Sequence, residues 1–340
     1  MALRTKDELK LLQNLPLEIK VAKTKLRIRE WVDYYGKDGV YVSFSGGKDS
    51  TVLLHIVREM YPDIEAVFVN TGLEYPEIQK FVKTFDNVTI LRPKMRFDEV
   101  IKKYGYPVIG KEVSQSVWYA KKGSKWAVNQ MNGLDRHGNV HTFKANMYSK
   151  YRPLLDVDFE ISNKCCLVMK EKPIYEMEKH KKPIIGLMAS ESKKRELAWL
   201  MTGCNAFDSQ KPASKPMSFW TEQDVLQYIK ENNIKIASVY GDIVYVDEPE
   251  QLRLYDTGER LKTSGCDRTG CIFCGFGCHL EKEPRFVRLK ETHPKQYQYC
   301  IGGGEFNEQG VWQPSKEGLG LGYVFDRLNE IYGDGFIKYK

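Results

Sequence analysis

No stretch of this sequence approaches the roughly 18 consecutive apolar residues that a membrane span requires. The opening segment is charged from Arg4 onward and lacks the apolar core of a secretion signal. The expectation is a soluble, cytoplasmic chain with no membrane partner. Internal repeats and low-complexity tracts are also missing, and 42% hydrophobic with 29% charged residues argues against a disordered, collagen-like or coiled-coil chain. Nor does either charge dominate. Fifty-two basic residues against 45 acidic ones give +7 over 340 residues, too small an excess to mark a nucleic-acid-binding protein by itself, though it suits anionic ligands. The length allows one large domain with additions or two smaller ones.

Cysteine, by contrast, is plentiful and unevenly placed. In a chain without a secretion signal the eight cysteines are expected to be reduced. Cys165 adjoins Cys166, and Cys266, Cys271, Cys274 and Cys278 fall within thirteen residues in the spacing C-x4-C-x2-C-x3-C, interleaved with glycines that let a backbone wrap an ion. This points to metal ligation rather than disulfides. Local spacing selects Cys266, Cys271, Cys274 and Cys278, and leaves zinc and an iron-sulfur centre both open. A thiol not needed as a ligand, Cys278 or Cys266, is a candidate sulfur carrier or nucleophile. His279 could coordinate or simply hydrogen-bond. Cys204 and Cys300 stand apart and read as ordinary buried thiols.

Short apolar runs at 39–44, 65–70, 88–91 and 183–188 have the look of buried parallel strands. Turn residues follow each one. A helical pattern with Leu53, Ile56, Val57 and Met60 on one face follows the first, and 97–104 reads as a helix stopped by Gly105. The alternation predicts an α/β fold, a doubly wound, Rossmann-like parallel sheet with ligands at the carboxyl ends of the strands. The expected division is 1–205 for the nucleotide-binding domain, with an insertion at about 110–153, and 206–340 for a cysteine-rich C-terminal extension. In the insertion the pattern dissolves into polar residues interleaved with Trp118, Tyr119, Trp126, Phe143, Tyr148 and Tyr151. It reads as a lid able to hold a nucleotide or single-stranded nucleic acid, or as a small helical subdomain packed by its aromatics. Thr221 with Asp224 predicts a helix start of capping-box type.

The most informative segment is Ser45-Gly46-Gly47-Lys48-Asp49-Ser50, which joins a strand directly to a helix. Glycines let the backbone turn and approach closely, successive N–H groups face oxygens, and the helix dipole favours an anion. Lys48 adds charge, Ser45, Ser50 and Thr51 add hydroxyls, and Asp49 could orient Lys48 or hold a divalent metal. The segment fits neither the Walker A loop nor the dinucleotide fingerprint.

This loop resembles the pyrophosphate (PP) loop of the adenine nucleotide alpha-hydrolase superfamily. The chain around it resembles the branch containing phosphoadenosine-phosphosulfate and adenosine-phosphosulfate reductases and the DNA phosphorothioation enzymes. Further matches follow in order: the segment 69–77 with Asn70-Thr71-Gly72, the pair Cys165-Cys166 with Lys170 and Pro173, the segment 186–195, and 215–229. The resemblance implies an adenine nucleotide, ATP or an adenylyl-sulfate type, held by Ser43, Ser45 to Thr51, Asn70, Thr71, Gly72, Gly186, Glu191, Ser192 and Arg195, with Mg2+ on its phosphates. It also implies a 4Fe-4S cluster on Cys165, Cys166, Cys271 and Cys274, zinc being the alternative. Two departures bear on activity: Met188 stands where the adenylyl-sulfate reductases have an arginine, and the reductases' C-terminal cysteine motif is absent. Three functions therefore compete. One is sulfur transfer through adenylation of an acceptor, with Lys48, Asp49 and Cys278 as the catalytic candidates. The second is sulfonucleotide reduction, for which Cys300 would be a poor nucleophile. The third is a redox-sensing module that binds nucleotide or nucleic acid. Expected partners are the nucleotide, a nucleic-acid acceptor and a protein that donates sulfur or electrons.

Overall fold

The computed structural model describes residues 4–140, 147–247 and 259–340; Phe143 of the expected insertion lies outside the described residues. The chain packs as two compact units that interleave along the sequence. The first comprises Met1–Asn70, Glu74–Arg92 and Ile174–Thr269, the second Thr71–Leu73, Pro93–Pro173 and Gly270–Lys340.

The first unit is built on a six-stranded sheet. Its strands are β1 Val40–Ser43, β2 Ala66–Val69, β3 Val88–Leu91, β5 Lys182–Ile185, β6 Asn205–Ala206 and β7 Ala213–Ser214, in the order β3-β2-β1-β5-β7-β6. All neighbours are parallel except β6 with β7. The predicted strands are all present, β3 over its full expected length and the other three two residues shorter; β5 stops at Ile185, whose carbonyl accepts from Leu187 N–H at 3.0 Å as the chain turns. The helix Lys48–Met60 buries Leu53, Ile56 and Val57 completely, and Val52 and Leu54 as well. The winding runs outward from β1 to β3 and resumes with β5 on the other side of β1. The crevice between the carboxyl ends of β1 and β5 is thus the topological switch point, the ligand position of doubly wound sheets. Thr221 and Asp224 form the predicted capping box of the helix Glu222–Glu231. Asp224 also accepts both hydrogen bonds of the Lys20 ammonium at 2.7 Å, fastening the helix Leu17–Tyr35 to it.

The first unit also has a separate antiparallel pair, β8 Ile243–Asp247 with β9 Glu259–Thr263, and the second unit contains β4 Val108–Ile109, paired in parallel with β10 Gly275–Phe276. The predicted helix Phe97–Tyr104 is present and ends at Gly105. Residues 111–131 are not a structureless lid. They form the helices Lys111–Lys121 and Lys125–Met131, broken only at Lys122-Gly123-Ser124, which matches the helical-subdomain alternative. The core is made of Tyr106, Val108, Phe159, Ile161, Leu321 and Phe325, all at most 1% exposed.

Candidate functional site

The glycine turn occupies the switch point. Gly46 has φ +72°, and a Cβ there would stand 2.8 Å from Cγ2 of both Ile78 and Val82. The turn is held by its own hydroxyls. Ser45 N–H donates to Ser50 Oγ at 3.2 Å, while the Ser50 and Thr51 hydroxyls donate to the Gly47 carbonyl at 2.9 and 3.0 Å. Two amides at the helix start make only long bonds of 3.3 Å, Gly47 to Ser45 Oγ and Lys48 to the Tyr240 hydroxyl. Gly186, just past β5, comes so close that a Cβ would meet the Asp49 carbonyl oxygen at 3.0 Å. The loops after β1 and β5 therefore meet as the doubly wound fold requires, and Ser43 pairs with both flanking strands.

The charges at this point form a network. Lys48, 3% exposed, donates to the Asp267 carbonyl and pairs with Glu222 at 2.8 Å. Glu191 is gripped by two guanidiniums, Arg195 on one oxygen and Arg268 on the other at 2.7 Å. Asp49 is half-buried, its Oδ1 shielded from solvent and without a hydrogen-bond partner among the described residues. Burial raises its carboxyl above the ordinary range although Lys48, Arg268 and Arg195 all pull it down. Burial likewise lowers the Arg195 and Lys215 values, with Arg268 repelling Arg195 and Arg195 repelling Lys215. Ser192 caps the helix Lys193–Thr202 by accepting from Arg195 N–H. Met188 is buried and its N–H donates to Glu191. The second strand-end motif divides between the units: Asn70 follows β2 in the first, while Thr71, Gly72 and Leu73 pack in the second, where Thr71 Oγ1 accepts from Leu73 N–H at 3.1 Å.

The second unit holds the thiols. Cys165 and Cys166 lie on the short helix Lys164–Cys166, which continues as a π-helical turn, Leu167–Glu171. Cys271 and Cys274 lie on the loop before β10, pinned where Ile272 N–H donates to the Leu73 carbonyl at 2.8 Å. All four line one cavity with Leu73, Phe97, Pro107, Met169 and Lys170, a space of about 20 Å³. Among the described residues no three Cys, His, Asp or Glu side chains are gathered as a ready single-ion cage. Cys165 donates to Cys166, which raises the first thiol and holds the second below its ordinary value; burial opposes the latter, while Lys111 and Lys170 assist it. Burial raises Cys274.

The remaining thiols do not line this cavity. Cys266 belongs to the first unit, buried, its carbonyl accepting from Thr263 Oγ1. Cys278 is in the second unit but does not line the cavity. Its thiol donates to the Gly275 carbonyl at 3.1 Å and burial pushes it up to about 12, so it is a poor nucleophile as it stands. Cys300 is wholly buried and raised well above its ordinary value; burial raises Cys204 too. His279 stacks on Phe336 at 4.8 Å and is lowered by burial. Sequence reasoning missed Tyr240, Glu222, Arg268 and Lys111. Of these, only the position of Glu222, first in a predicted helix, offered a signal.

The phosphoadenosine phosphosulfate reductase domain matches residues 39–275, well over half of the chain. An uncharacterized protein of Methanocaldococcus jannaschii is 24% identical over 265 residues, 76% of this chain and 46% of that protein, so the chain spans about half the length of this relative. The phosphoadenosine 5'-phosphosulfate reductase of Buchnera aphidicola is 24% identical over 59% of this chain and 65% of its own length. For the adenosine 5'-phosphosulfate reductase of Staphylococcus haemolyticus the values are 24%, 64% and 72%. Among solved structures, the phosphoadenylyl-sulfate reductase of Candida auris aligns over 69% of this chain and 90% of its own at 14% identity and TM-score 0.37. The match over 39–275, spanning the glycine turn and both cysteine pairs, establishes that the chain belongs to the phosphoadenosine phosphosulfate reductase domain family.

Proposed function

We propose that the chain is an adenine-nucleotide-dependent sulfur-transfer enzyme that activates an acceptor by adenylation and carries a 4Fe-4S cluster on Cys165, Cys166, Cys271 and Cys274. The observation that carries this reading is that two distant cysteine pairs line one cavity in a chain that also has an intact anion cradle at its switch point. A single zinc would draw four sulfurs to about 2.3 Å from itself, and so to within about 3.8 Å of one another. The four thiols come from two separate segments, line one small cavity and, among the described residues, are not gathered as a single-ion cage, and on that ground we take a polynuclear cluster as the better reading. When bound, the cluster would supply a place to hold sulfide-level sulfur.

The protein's own groups account for the first half of the reaction. The long-bonded amides of Gly47 and Lys48 turn to the nucleotide's phosphates, and the helix dipole favours the negative charge. An acceptor oxygen attacks the α-phosphorus, the bond to the bridging oxygen breaks, and pyrophosphate leaves into a field of Lys48 and the arginines. Sulfide-level sulfur then displaces AMP from the adenylated acceptor without a change in oxidation state. The unpartnered Asp49 Oδ1 fits a magnesium ion, which takes one or two carboxylates together with substrate phosphates. As acceptor we propose a single-stranded nucleic acid, supported by the exposed Trp126, Lys122 and Lys125 of the helical pair; the sulfur or electron donor would be a second protein.

Anaerobically purified protein is expected to contain iron and acid-labile sulfide with a cluster absorption band, and to release pyrophosphate from ATP in the presence of acceptor. Failure to bind ATP refutes the proposal. A second reading, sulfonucleotide reduction, is favoured by the reductases among the relatives. It requires thioredoxin-dependent release of sulfite, and with Cys300 buried it would need another thiol as nucleophile. The third, a redox-sensing module, requires salt-dependent nucleic-acid binding without turnover.

A further inference from the structure

We infer that Arg268, acting with Arg195, is an anion fork that takes the terminal phosphates of the nucleotide and makes the site select a polyphosphate tail over a monophosphate. The inference rests on the nucleotide reading above and adds a residue that lies outside the motifs of the loop.

Three observations carry it. The segment 267–269 is seated on the phosphate loop: Lys48 Nζ donates to the Asp267 carbonyl, and Thr269 Oγ1 lies 2.6 Å from the Tyr240 hydroxyl, which also accepts the Lys48 amide. Arg268 is thereby placed beside the glycine turn, and Asp49 on the first turn of the helix lies within the field of both guanidiniums. Next, the Lys48 ammonium is enclosed and already paired with a carbonyl and with Glu222. Its charge is partly spent, whereas the side chains of Arg268 and Arg195 are 62% and 40% exposed. Finally, the Glu191 side chain that both arginines share is only 10% exposed. A mostly buried carboxylate anchors two solvent-facing guanidiniums that repel one another. Glu191 and the nearby Asp49 offset the two charges in part, and each planar fork keeps donors beyond the nitrogen bonded to Glu191. A phosphate with two free oxygens satisfies such a pair bidentately, which an ammonium could not do. Glu191 is then a positioning residue, and Arg268 a contact to the substrate.

The test is calorimetric titration of the full-length protein, wild type, Arg268→Gln and Arg268→Lys, with ATP, AMP and inorganic pyrophosphate. Arg268→Gln is expected to weaken ATP and pyrophosphate by about 10- to 100-fold, the worth of one or two charged hydrogen bonds, with AMP unchanged. Arg268→Lys should recover only part of the loss, because it restores charge without the fork. Equal losses for AMP and ATP would reduce Arg268 to a tether of its loop and overturn the inference; unchanged ATP binding would overturn it as well. Tighter ATP binding in Arg268→Gln would make 267–269 a cover that must leave, again overturning it. If the wild type binds pyrophosphate but no adenine nucleotide, the proposed function falls, while loss of pyrophosphate binding in Arg268→Gln still sustains the fork.

Discussion

Replacing Gly46 by alanine should cost the protein much of its margin of stability, and the cost can be divided into two physical parts. The first is backbone: at φ +72° a residue with a Cβ pays about 1–2 kcal/mol for the left-handed conformation. The second is steric, since the new methyl would lie 2.8 Å from Cγ2 of Ile78 and of Val82. Both neighbours are 1% exposed and cannot swing into solvent, so overpacking adds about 1–3 kcal/mol. The sum, about 2–5 kcal/mol, is a large share of the roughly 5–15 kcal/mol that holds a domain folded. Urea denaturation should show the midpoint falling at constant slope. Combining the change with Val82→Ala separates the parts. Relief of one clash should make the double variant more stable than the two single losses predict, while the backbone penalty persists. Gly46→Ala within about 0.5 kcal/mol of wild type, or a pair of changes that simply add, would refute the reasoning.

Lys20→Met should destabilise by about 3–5 kcal/mol because Asp224 is left buried without its cation, while Lys20→Met with Asp224→Leu should recover most of the loss; denaturant midpoints of the three proteins check this. Alanine at Cys165, Cys166, Cys271 or Cys274 should abolish iron and labile sulfide in anaerobic protein, whereas Cys266→Ala and Cys204→Ala should retain both; metal analysis decides. Burial pushes the Glu65 carboxyl up, but hydrogen bonds from Lys181 at 2.7 Å and from Thr89 outweigh it and leave the group below its ordinary value. Its contribution is therefore present above about pH 4.3, the unfolded value, and is lost as the pH falls through the lower folded value. Wild type and Glu65→Gln should differ in stability at neutral pH and converge in acid.

What was legible in the sequence was what is decided locally. The glycine turn is a matter of φ angles, hydroxyls and a helix start within seven residues, so its place after β1 and its internal bonds follow from residues that are neighbours in the chain. The capping box at Thr221 is local in the same sense, and Asp at the third position performs the role usually given to Glu because its carboxylate also reaches the Lys20 ammonium. The helices of 111–131 were obscured because their polar faces are exposed and their apolar positions few. Val117, Ala120, Ala127 and Met131 are buried, too sparse a set to show a period of 3.6 against a background of lysines and glutamines.

The cysteines show where local reasoning fails and why. Spacing alone groups Cys266 with Cys271, Cys274 and Cys278, because five, three and four residues are short steps that any loop can close. The cavity that Cys271 and Cys274 line is completed by Cys165 and Cys166, and Cys266 is not among its lining residues. Pairing of β10 with β4 in register Gly275 with Val108 then aims the preceding loop at the helix bearing Cys165 and Cys166. Nothing in the sequence around Cys271 encodes that register; it is fixed by a pairing 167 residues away in the chain and by the Ile272–Leu73 hydrogen bond. Arg268 escapes notice for the same reason: its significance lies in a carboxylate 77 residues distant. A thiol or guanidinium on a loop acquires its chemistry from whatever the fold sets opposite it. Local chemistry therefore identifies residues whose partners lie within a turn of chain, the set Cys165, Cys166, Cys271 and Cys274 comes from the family resemblance and not from spacing, and Arg268 and Tyr240, joined to the turn only by tertiary contacts, come from neither.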